Sequence, residues 1–325
     1  MGKIAIITGI SGQDGSYLSE LLVKKKYKVI GICNPKKKIK RKNLLNIKHK
    51  IILKKIDINN YSKIKDLIKK NKPTEFYHLA AQSFINYKFE DEFFKLNPNI
   101  NGTHYILSAI KQFSPKTKFY FAASSELFGN VKESPQNEET KFNPRSAYGV
   151  SKVAGFYLTK NYREAYNIHA CSGILFNHES PRRNENFVSR KITKNLSLIL
   201  KGKIKKISLG NINSKRDWGH AKDYVYAMWK MLQMKSPKDY VIATGKHYTV
   251  KEFINLVCKN LNMKIVWKGK KNREKAYWKN KPIIEIDNKY FRPTEVNSLK
   301  GDFSLAKKEL GWKPKIHIKT LINSF

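Results

Sequence analysis

Cysteine is scarce in this 325-residue chain: there are three, Cys33, Cys171 and Cys258, widely separated. An odd, scattered set of thiols provides neither a disulfide framework nor a zinc site. It suits a reducing compartment, so a cytoplasmic location and no metal are expected. Long apolar runs are absent too; none approaches the ~20 residues of a membrane span. The first apolar run stops at Ile10, too short for a signal peptide, and the opening Met-Gly-Lys-Ile-Ala-Ile lacks the hydroxyl residue that myristoylation expects. With 17 glycines and 11 prolines the chain is neither collagenous nor of low complexity.

Acidic residues are few, 25 against 65 basic ones, and the formal net charge is +40. Such a balance raises the question of nucleic acid, since lysine and arginine gain affinity by displacing phosphate counterions. Arginine, however, is also scarce: 9 of the 65 basic residues are Arg and 56 are Lys. Readers of bases and phosphates rely on the arginine fork. The lysines are strewn along the chain among many Asn and Ile residues, as solvated positions would be. No specific nucleic acid is expected, and the anion to look for is a small one. One dense basic run, 36–42, stands apart.

Hydrophobic residues make up 41% of the chain, enough for a sizeable core, and the length allows about two domains. The first half alternates apolar β-rich runs with helical periodicity. Strands are predicted at 3–8, 28–33, 51–56, 75–79, 117–122 and 169–173, with helices near 16–26, 61–70, 101–113 and 148–166. Alternation of this kind predicts an α/β, doubly wound, mostly parallel sheet. Beyond Phe176 the pattern loosens into loops, then a helix at 223–233, a strand at 240–244 and helices at 250–261 and 304–310. The segment 268–281, rich in Lys and Asn, reads as an exposed loop. We therefore expect residues 1–177 plus about 214–245 to bind a dinucleotide. Residues 178–213 plus about 246–325 would form a smaller mixed α/β substrate domain over the sheet's carboxyl edge.

The first strand runs into Gly9-Ile10-Ser11-Gly12-Gln13-Asp14-Gly15 and then a helix. Glycines here allow a tight turn, close approach of backbone to a pyrophosphate, and packing of helix on strand; the helix N-terminus adds donors and a positive dipole end. A Rossmann-like nicotinamide site follows, with Gly9, Ser11, Gly12, Gln13, Asp14 and Gly15 as its cradle. An NAD site expects an acid at the end of the second strand. That strand ends Gly31-Ile32-Cys33-Asn34 and the basic run follows. The run is either a solvated loop or a set of cations for a 2′-phosphate, and the second reading makes the cofactor NADP. Asp57 and Ile58 would flank the adenine; Leu79, Ala80, Ala81 and Ser83 would flank the ribose and nicotinamide.

Tyr148 and Lys152 are four residues apart, on one face of a predicted helix. An ammonium near the phenol is expected to draw its pKa from about 10 towards neutrality, making a base for a substrate hydroxyl. One crossover earlier, a strand ends Ser124-Ser125-Glu126-Leu127-Phe128-Gly129.

In this order, G-x-x-G-x-x-G, S-S-E-L-F-G and Y-x-x-x-K resemble the extended short-chain dehydrogenase/reductase superfamily in its nucleotide-sugar branch. A carboxylate at Glu126, where epimerases of the superfamily generally carry a small or apolar residue, suits a 4,6-dehydratase. The stretches from Gly173 to Arg183, Arg216 to Tyr224 and Tyr290 to Val296 resemble the GDP-mannose 4,6-dehydratase family, over nearly the whole chain. That resemblance implies a hydro-lyase acting on GDP-mannose, with Ser124, Glu126, Tyr148 and Lys152 catalytic. It implies that His178 and Arg183 touch the cofactor, and that Ser83, Ser124, Ser125, Glu126, Tyr148, Asn177, Lys191, Arg216, Arg292 and Glu295 meet the substrate. It also implies a homo-oligomer, dimer or tetramer.

Read on their own, several of these residues admit two roles. Arg216 and Arg292 are forks for a diphosphate or partners in surface ion pairs. Glu295 accepts ribose hydroxyls or pairs with Arg292. Lys191 holds the nucleotide or is solvated. Asp223 reads as support for the following helix and His220 as a packed, hydrogen-bonded histidine. The chain departs from the family in having Ser124 for a threonine and Asn34-Pro35 for two consecutive arginines. The alternatives are a reductase or epimerase of a related nucleotide sugar, or a basic nucleic-acid-binding protein on a dead dehydrogenase fold.

Overall fold

Short runs of β-branched and aromatic residues, each closed by Gly, Asn or Ser, are the strand signal of the first half. A computed structural model describing residues 2–83 and 89–325 shows them as strands. In chain order the elements are β1 (Ile4–Thr8), α1 (Gln13–Lys24), β2 (Lys28–Cys33), β3 (Ile51–Lys55), α2 (Tyr61–Asn71), β4 (Glu75–His78), α3 (Phe89–Phe113), β5 (Lys118–Ser124), α4 (Ala147–Tyr166) and β6 (Ala170–Leu175). Farther on, α6 (Ala221–Gln233) leads to β10 (Tyr240–Ile242). The seven strands form one sheet in the order β10-β6-β5-β4-β1-β2-β3, with every pairing parallel. Strand order reverses between β1 and β4, and their carboxyl ends open into a crevice.

Both faces of this sheet are apolar and both are covered. On one, Leu18, Leu22, Val29 and Tyr77 pack with Tyr224, Met228 and Met231 of α6. On the other, Ile6, Phe76 and Phe119 pack with Ile64, Ile106, Ile110 and Phe156 from α2, α3 and α4. Helix starts follow from side-chain caps: Asn60 accepts from the Lys63 amide ahead of α2, and Ser146 from the Gly149 amide ahead of α4.

The second half holds more regular structure than its sequence suggests. A strand at Asn177–Glu179 (β7), a helix at Val188–Leu200 (α5) and strands at Ile207–Leu209 (β8) and Lys215–His220 (β9) replace the expected loops. β11 (His247–Thr249), α7 (Val250–Asn260), β12 (Ile265–Lys268), β13 (Lys275–Trp278), β14 (Lys281–Ile286), α8 (Ser304–Leu310) and α9 (Ile318–Asn323) complete the chain. Two small sheets result, β11-β9-β7 and β12-β13-β14-β8, over a core of their own that includes Leu196, Trp218, Phe253 and Ile284. The segment expected to bind the dinucleotide at about 214–245 serves both layers: β9 pairs with β7 and β11, whereas α6 and β10 lie on the large sheet.

The exposed loop expected at 268–281 is corrected. β13 lies inside it, and β12 and β14 begin or end in it. Ala276 and Ile284 are fully buried partners across β13 and β14, while the lysines point outward, so outward-facing charge masks the period-2 pattern. Lys279 and Asn280, with φ of 49° and 60°, turn the chain between the two strands; such a pair of left-handed residues makes a hairpin without any glycine.

Asp223 supports the fold in a way its sequence position does not announce. Its carboxylate Oδ2 accepts from the amides of Lys315 and Ile316, both at 2.8 Å, and its carbonyl accepts from the Trp312 indole at 2.9 Å. It thereby pins the segment after α8 to α6. The cap of α6 is instead His220, whose Nδ1 accepts from the Lys222 amide at 3.0 Å. That bond requires a neutral ring, and burial, reinforced by Lys222, pushes His220 down to about 4. Replacing Asp223 by Ala leaves two amide donors unpaired at a buried contact, which costs roughly 2–4 kcal/mol. A thermal melt of Asp223→Ala should shift down by several degrees; an unchanged midpoint would mean that the C-terminal segment is held otherwise.

Candidate functional site

The crevice between the ends of β1 and β4 is lined by the glycine turn on one side. Gly9 has φ of +69°, a conformation glycine adopts freely, and the amide of Gly12 donates to its carbonyl at 2.9 Å. A Cβ on Gly15 would stand 2.4 Å from that same carbonyl, so only glycine lets α1 start so close to the turn. α1 has no side-chain cap, and the donors of its first turn face the groove. Ser11, Gly12, Gln13 and Asp14 complete the turn; Asp57 and Ile58 line one wall, and Leu79, Ala80, Ala81 and Ser83 the other. A turn that a Cβ would fill, beneath a bare helix N-terminus, fits a dinucleotide.

At the adenosine end, β2 closes with Cys33 and Asn34, and the groove wall carries Lys37, Lys38 and Lys40. Lys37 Nζ reaches across to Gln82 Oε1 at 2.8 Å. Partial burial and the charge of Lys40 draw the Lys37 ammonium below its ordinary value, so a dianion beside them relieves both terms. The basic run thus contributes three lysines to the wall of the groove.

Toward the catalytic end, β5 finishes at Ser124 and a tight turn follows, with Ser124 Oγ accepting from the Glu126 amide at 3.3 Å. Tyr148 and Lys152 come from the first turns of α4. Ser124 stands near the Tyr148 phenol and favours its ionised form. Lys152 does not act as expected from its spacing. Its Nζ donates to the carbonyl of Ala122 at 2.6 Å and lies 5.7 Å from the centre of the Tyr148 ring. Burial pushes Tyr148 up to about 12, beyond what nearby Ser124 offsets, and burial pulls Lys152 down to about 7. The expected lowering of the phenol is therefore corrected: taking a charge out of water outweighs an ammonium that is already engaged by backbone.

Beyond Tyr148 a cleft of about 470 Å³ opens between the large sheet and the second half. It shares Asp14, Leu79, Ala81, Ser83, Arg183 and Phe187 with the dinucleotide groove, so the two are continuous. Ser125 and Asn177 line it, and two ion pairs stand at its far end. Glu126 Oε1 lies 3.8 Å from the Arg292 guanidinium, and Arg216 lies 3.4 Å from Glu295 Oε1. Glu295 thus pairs with Arg216 rather than with Arg292. Lys191 is half-buried, its Nζ bonded to the Ser208 carbonyl at 2.7 Å and 3.9 Å above the Tyr290 ring, so it is not solvated as its neighbours are. His178 and Arg183 close the boundary between groove and cleft, the latter paired with Glu179 at 3.1 Å.

Sequence reasoning missed Asn99. It is buried in α3, donates from Nδ2 to Ser151 Oγ at 3.0 Å and accepts the Gln82 amide at 2.9 Å. It ties the loop after β4 to the catalytic helix and lines the groove. The one sequence cue is its neighbour Pro98, which removes a donor inside a helix and marks an irregular turn.

A sequence profile of the family described as GDP-mannose 4,6 dehydratase matches residues 6–325. The chain is 46% identical to a GDP-mannose 4,6 dehydratase of Drosophila melanogaster, covering 99% of this chain and 84% of that one. It is 43% identical to a GDP-mannose 4,6-dehydratase of Vibrio cholerae over 99% of this chain and 92% of the relative. Among solved structures, the UDP-glucose 4-epimerase of Thermotoga maritima with UDP-glucose superposes with a TM-score of 0.84, at 21% identity over 99% and 98% of the two chains. That likeness is one of fold.

The lysine wall yields a test of cofactor choice. Exchanging Lys37, Lys38 and Lys40 together for Gln should weaken NADP by about 10–100-fold and leave NAD unchanged, because point charges serve the 2′-phosphate only. Fluorescence titration of both nucleotides would decide; an equal loss for the two would remove the lysines from that role.

Proposed function

The chain belongs to the GDP-mannose 4,6-dehydratase family, and we infer that it converts GDP-mannose into GDP-4-keto-6-deoxymannose and water. It is a hydro-lyase that uses NADP. The observation that carries the reading is the placement of Glu126 beside Ser124 and Tyr148 in a cleft whose far end holds Arg216 and Arg292.

The glycine turn from Gly9 to Gly15 would hold the NADP pyrophosphate, Asp57 and Ile58 its adenine side, and Leu79, Ala80, Ala81 and Ser83 its nicotinamide side. When bound, oxidised NADP supplies a reversible hydride acceptor and a positive charge in the cleft, so the overall reaction is redox-neutral. Tyr148 works as the base that takes the proton of the sugar 4-hydroxyl, and Ser124 orients that oxygen. It does so as phenolate, a form that burial opposes and that added positive charge favours. Lys152 braces α4 against the end of β5 through Ala122, keeping the phenol in place.

Once C4 is a carbonyl, the C5–H bond is acidic. Glu126 removes that proton, and the C5 electron pair expels the 6-oxygen. The same carboxyl group returns the proton to the departing oxygen, so water leaves behind a C5–C6 double bond, and C5 takes a new proton from solvent when that bond is saturated to give the 6-methyl group. One group serves as base and then acid because its two tasks are sequential. Arg216 and Arg292 would turn from their carboxylates to the diphosphate, Glu295 and Lys191 would face the nucleoside, and Ser125 and Asn177 would border the sugar.

The same reading takes the chain to be cytoplasmic and a homo-oligomer, dimer or tetramer. Buried free thiols at Cys33, Cys171 and Cys258 suit a reducing compartment. Among the described residues no helix is long and apolar enough to cross a membrane. Exposed Val150 and Tyr157, seven residues apart on one face of α4, supply apolar surface for a second copy.

Incubation with GDP-mannose and no added reductant should give a product lighter by one water, its 6-carbon a methyl group by NMR. A need for stoichiometric NADPH would point to a reductase instead. Tyr148→Phe keeps the ring but removes the base and should slow turnover by roughly 10²–10⁴-fold; undiminished turnover in a folded variant would end its role. Glu126→Gln should still oxidise C4, visible as new absorbance of the reduced nicotinamide, yet fail to exchange C5 with solvent deuterium. Deoxy product formed at the wild-type rate would show that Glu126 is not the base.

A further inference from the structure

His178 and Asp14 meet at the boundary between groove and cleft, and the mechanism gives neither a step. Nε2 of His178 lies 2.9 Å from Asp14 Oδ2, and its Nδ1 lies 2.7 Å from the carbonyl of Phe176. A carbonyl cannot donate a hydrogen bond, nor can an ionised carboxylate. Both ring nitrogens therefore face acceptors, which a neutral imidazole satisfies only once and an imidazolium satisfies twice. The ring has no freedom to escape this. It stacks on buried Tyr224, with centroids 4.5 Å apart and planes at 21°.

The charged and titratable groups around it are Asp14 from α1, Arg183 from the loop after β7, His220 at the cap of α6 and Tyr224 within α6. Burial, reinforced by Arg183, would drive the imidazolium below its ordinary value; the carboxylate of Asp14 outweighs it and holds His178 above. Asp14 in turn stays below the usual carboxylate range, because His178 outweighs its burial. The pair is one unit of no net charge.

Asp14 stands in the first turn of α1 and lines both the groove and the cleft. A bare carboxylate at that spot opposes the anion that the turn and the helix N-terminus are built to receive. We propose that His178 is a positioning residue that cancels the charge of Asp14 at the head of α1, so that the pyrophosphate of NADP meets a neutral pair and not a carboxylate. The same cancellation reaches Tyr148, on which the Asp14 charge also acts. This rests on the reading of the glycine turn as an NADP site.

The sign of the pH effect follows from linkage. A histidine held above its ordinary value stays protonated through pH 6.5 and loses its proton as pH rises through its folded value. NADP affinity should therefore be level at the lower pH and then weaken by up to about tenfold per pH unit. Ionisation of the 2′-phosphate, near pH 6, acts in the opposite direction, and loss of the Lys152 proton at about 7 acts in the same one, so the His178 contribution is the part of the fall that depends on Asp14. Calorimetric titration of NADP across pH on the full chain separates them.

Asp14→Asn should make the alkaline fall shallower. His178→Asn should weaken NADP by about 10–100-fold at the lower pH, since an uncompensated carboxylate now faces the ligand. Combining both substitutions should restore affinity to near wild type. A double variant as weak as His178→Asn, or an alkaline fall in Asp14→Asn as steep as in the wild type, would overturn the proposal. If His178→Asn does not fold, the pH profile of Asp14→Asn still decides. A wild-type chain that binds no NADP at any pH would break the cofactor reading itself, which is a distinct result.

Discussion

A parallel sheet whose strand order reverses leaves an opening that its own helices do not cover, and everything functional in this chain depends on that opening. β1 runs on into α1 toward one side and β4 runs on toward α3 on the other, so the carboxyl ends of the two strands diverge. The glycine turn follows β1, the Leu79–Ser83 segment follows β4, and Ser124 and Glu126 follow β5, one strand farther along. These positions share an edge because parallel strands all end at the same side. The second half then covers that edge: β7, β9 and α5 carry Asn177, Arg216 and Lys191 over the crevice.

Scarcity of acid and of arginine shapes how the halves are joined. Although the chain carries 65 basic and 25 acidic residues, its buried or half-buried acids nearly all hold something in register. Glu75 accepts from Tyr27, Tyr77 and Gln233 beneath the sheet. Asp217 accepts from the backbone of Thr244 and Gly245, joining β9 to the end of β10. Arg182 reaches Ser16 and Glu20 on α1, beside the Asp14–His178 pair, so the segment after β7 is sewn to the dinucleotide helix at several points. Arg163 makes two bonds at once, to both oxygens of Asp239. Lysine fills the solvated remainder, where composition can drift with little effect on packing.

That division explains what could be read from the sequence. The β-rich runs and the glycine turn specified the large sheet because periodicity and turn chemistry are local, and every strand of the first half lies within a few residues of its expected place. The second half is held by contacts that have no local signature. Its strands are three to six residues long, and 268–281 reads as polar because lysines occupy outward positions while Ala276 and Trp278 turn to the core. α5 begins directly after Phe187, which offers no side-chain cap, so no start signal announces it. Residues of the site that lie on first-half motifs were legible; Asn99, Gln82 and the Asp14–His178 bond become visible only when separate segments meet.

The Tyr148–Lys152 pair shows most clearly where spacing stops being informative. Four residues on a helix do put both side chains on one face, but spacing does not decide which acceptor an ammonium prefers. Here the carbonyl of Ala122 takes Lys152, which is buried, while Tyr148 lines the cleft and is half-buried. Two groups of opposite potential charge then each favour the neutral form: the phenol is driven up to about 12 and the ammonium down to about 7. In that condition the phenol rests neutral and Lys152 is poised to titrate near neutral pH. The site becomes reactive when charge enters the cleft. The same logic runs through its neighbours, since Asp14 is cancelled by His178, Glu126 is paired with Arg292 and Glu295 with Arg216. An enzyme that binds two phosphate-bearing ligands in one continuous crevice must keep its own carboxylates from repelling them. The pairs of Asp14, Glu126 and Glu295 would serve that end, and under the proposed function the incoming phosphates would compete for the cations and leave Glu126 free to act.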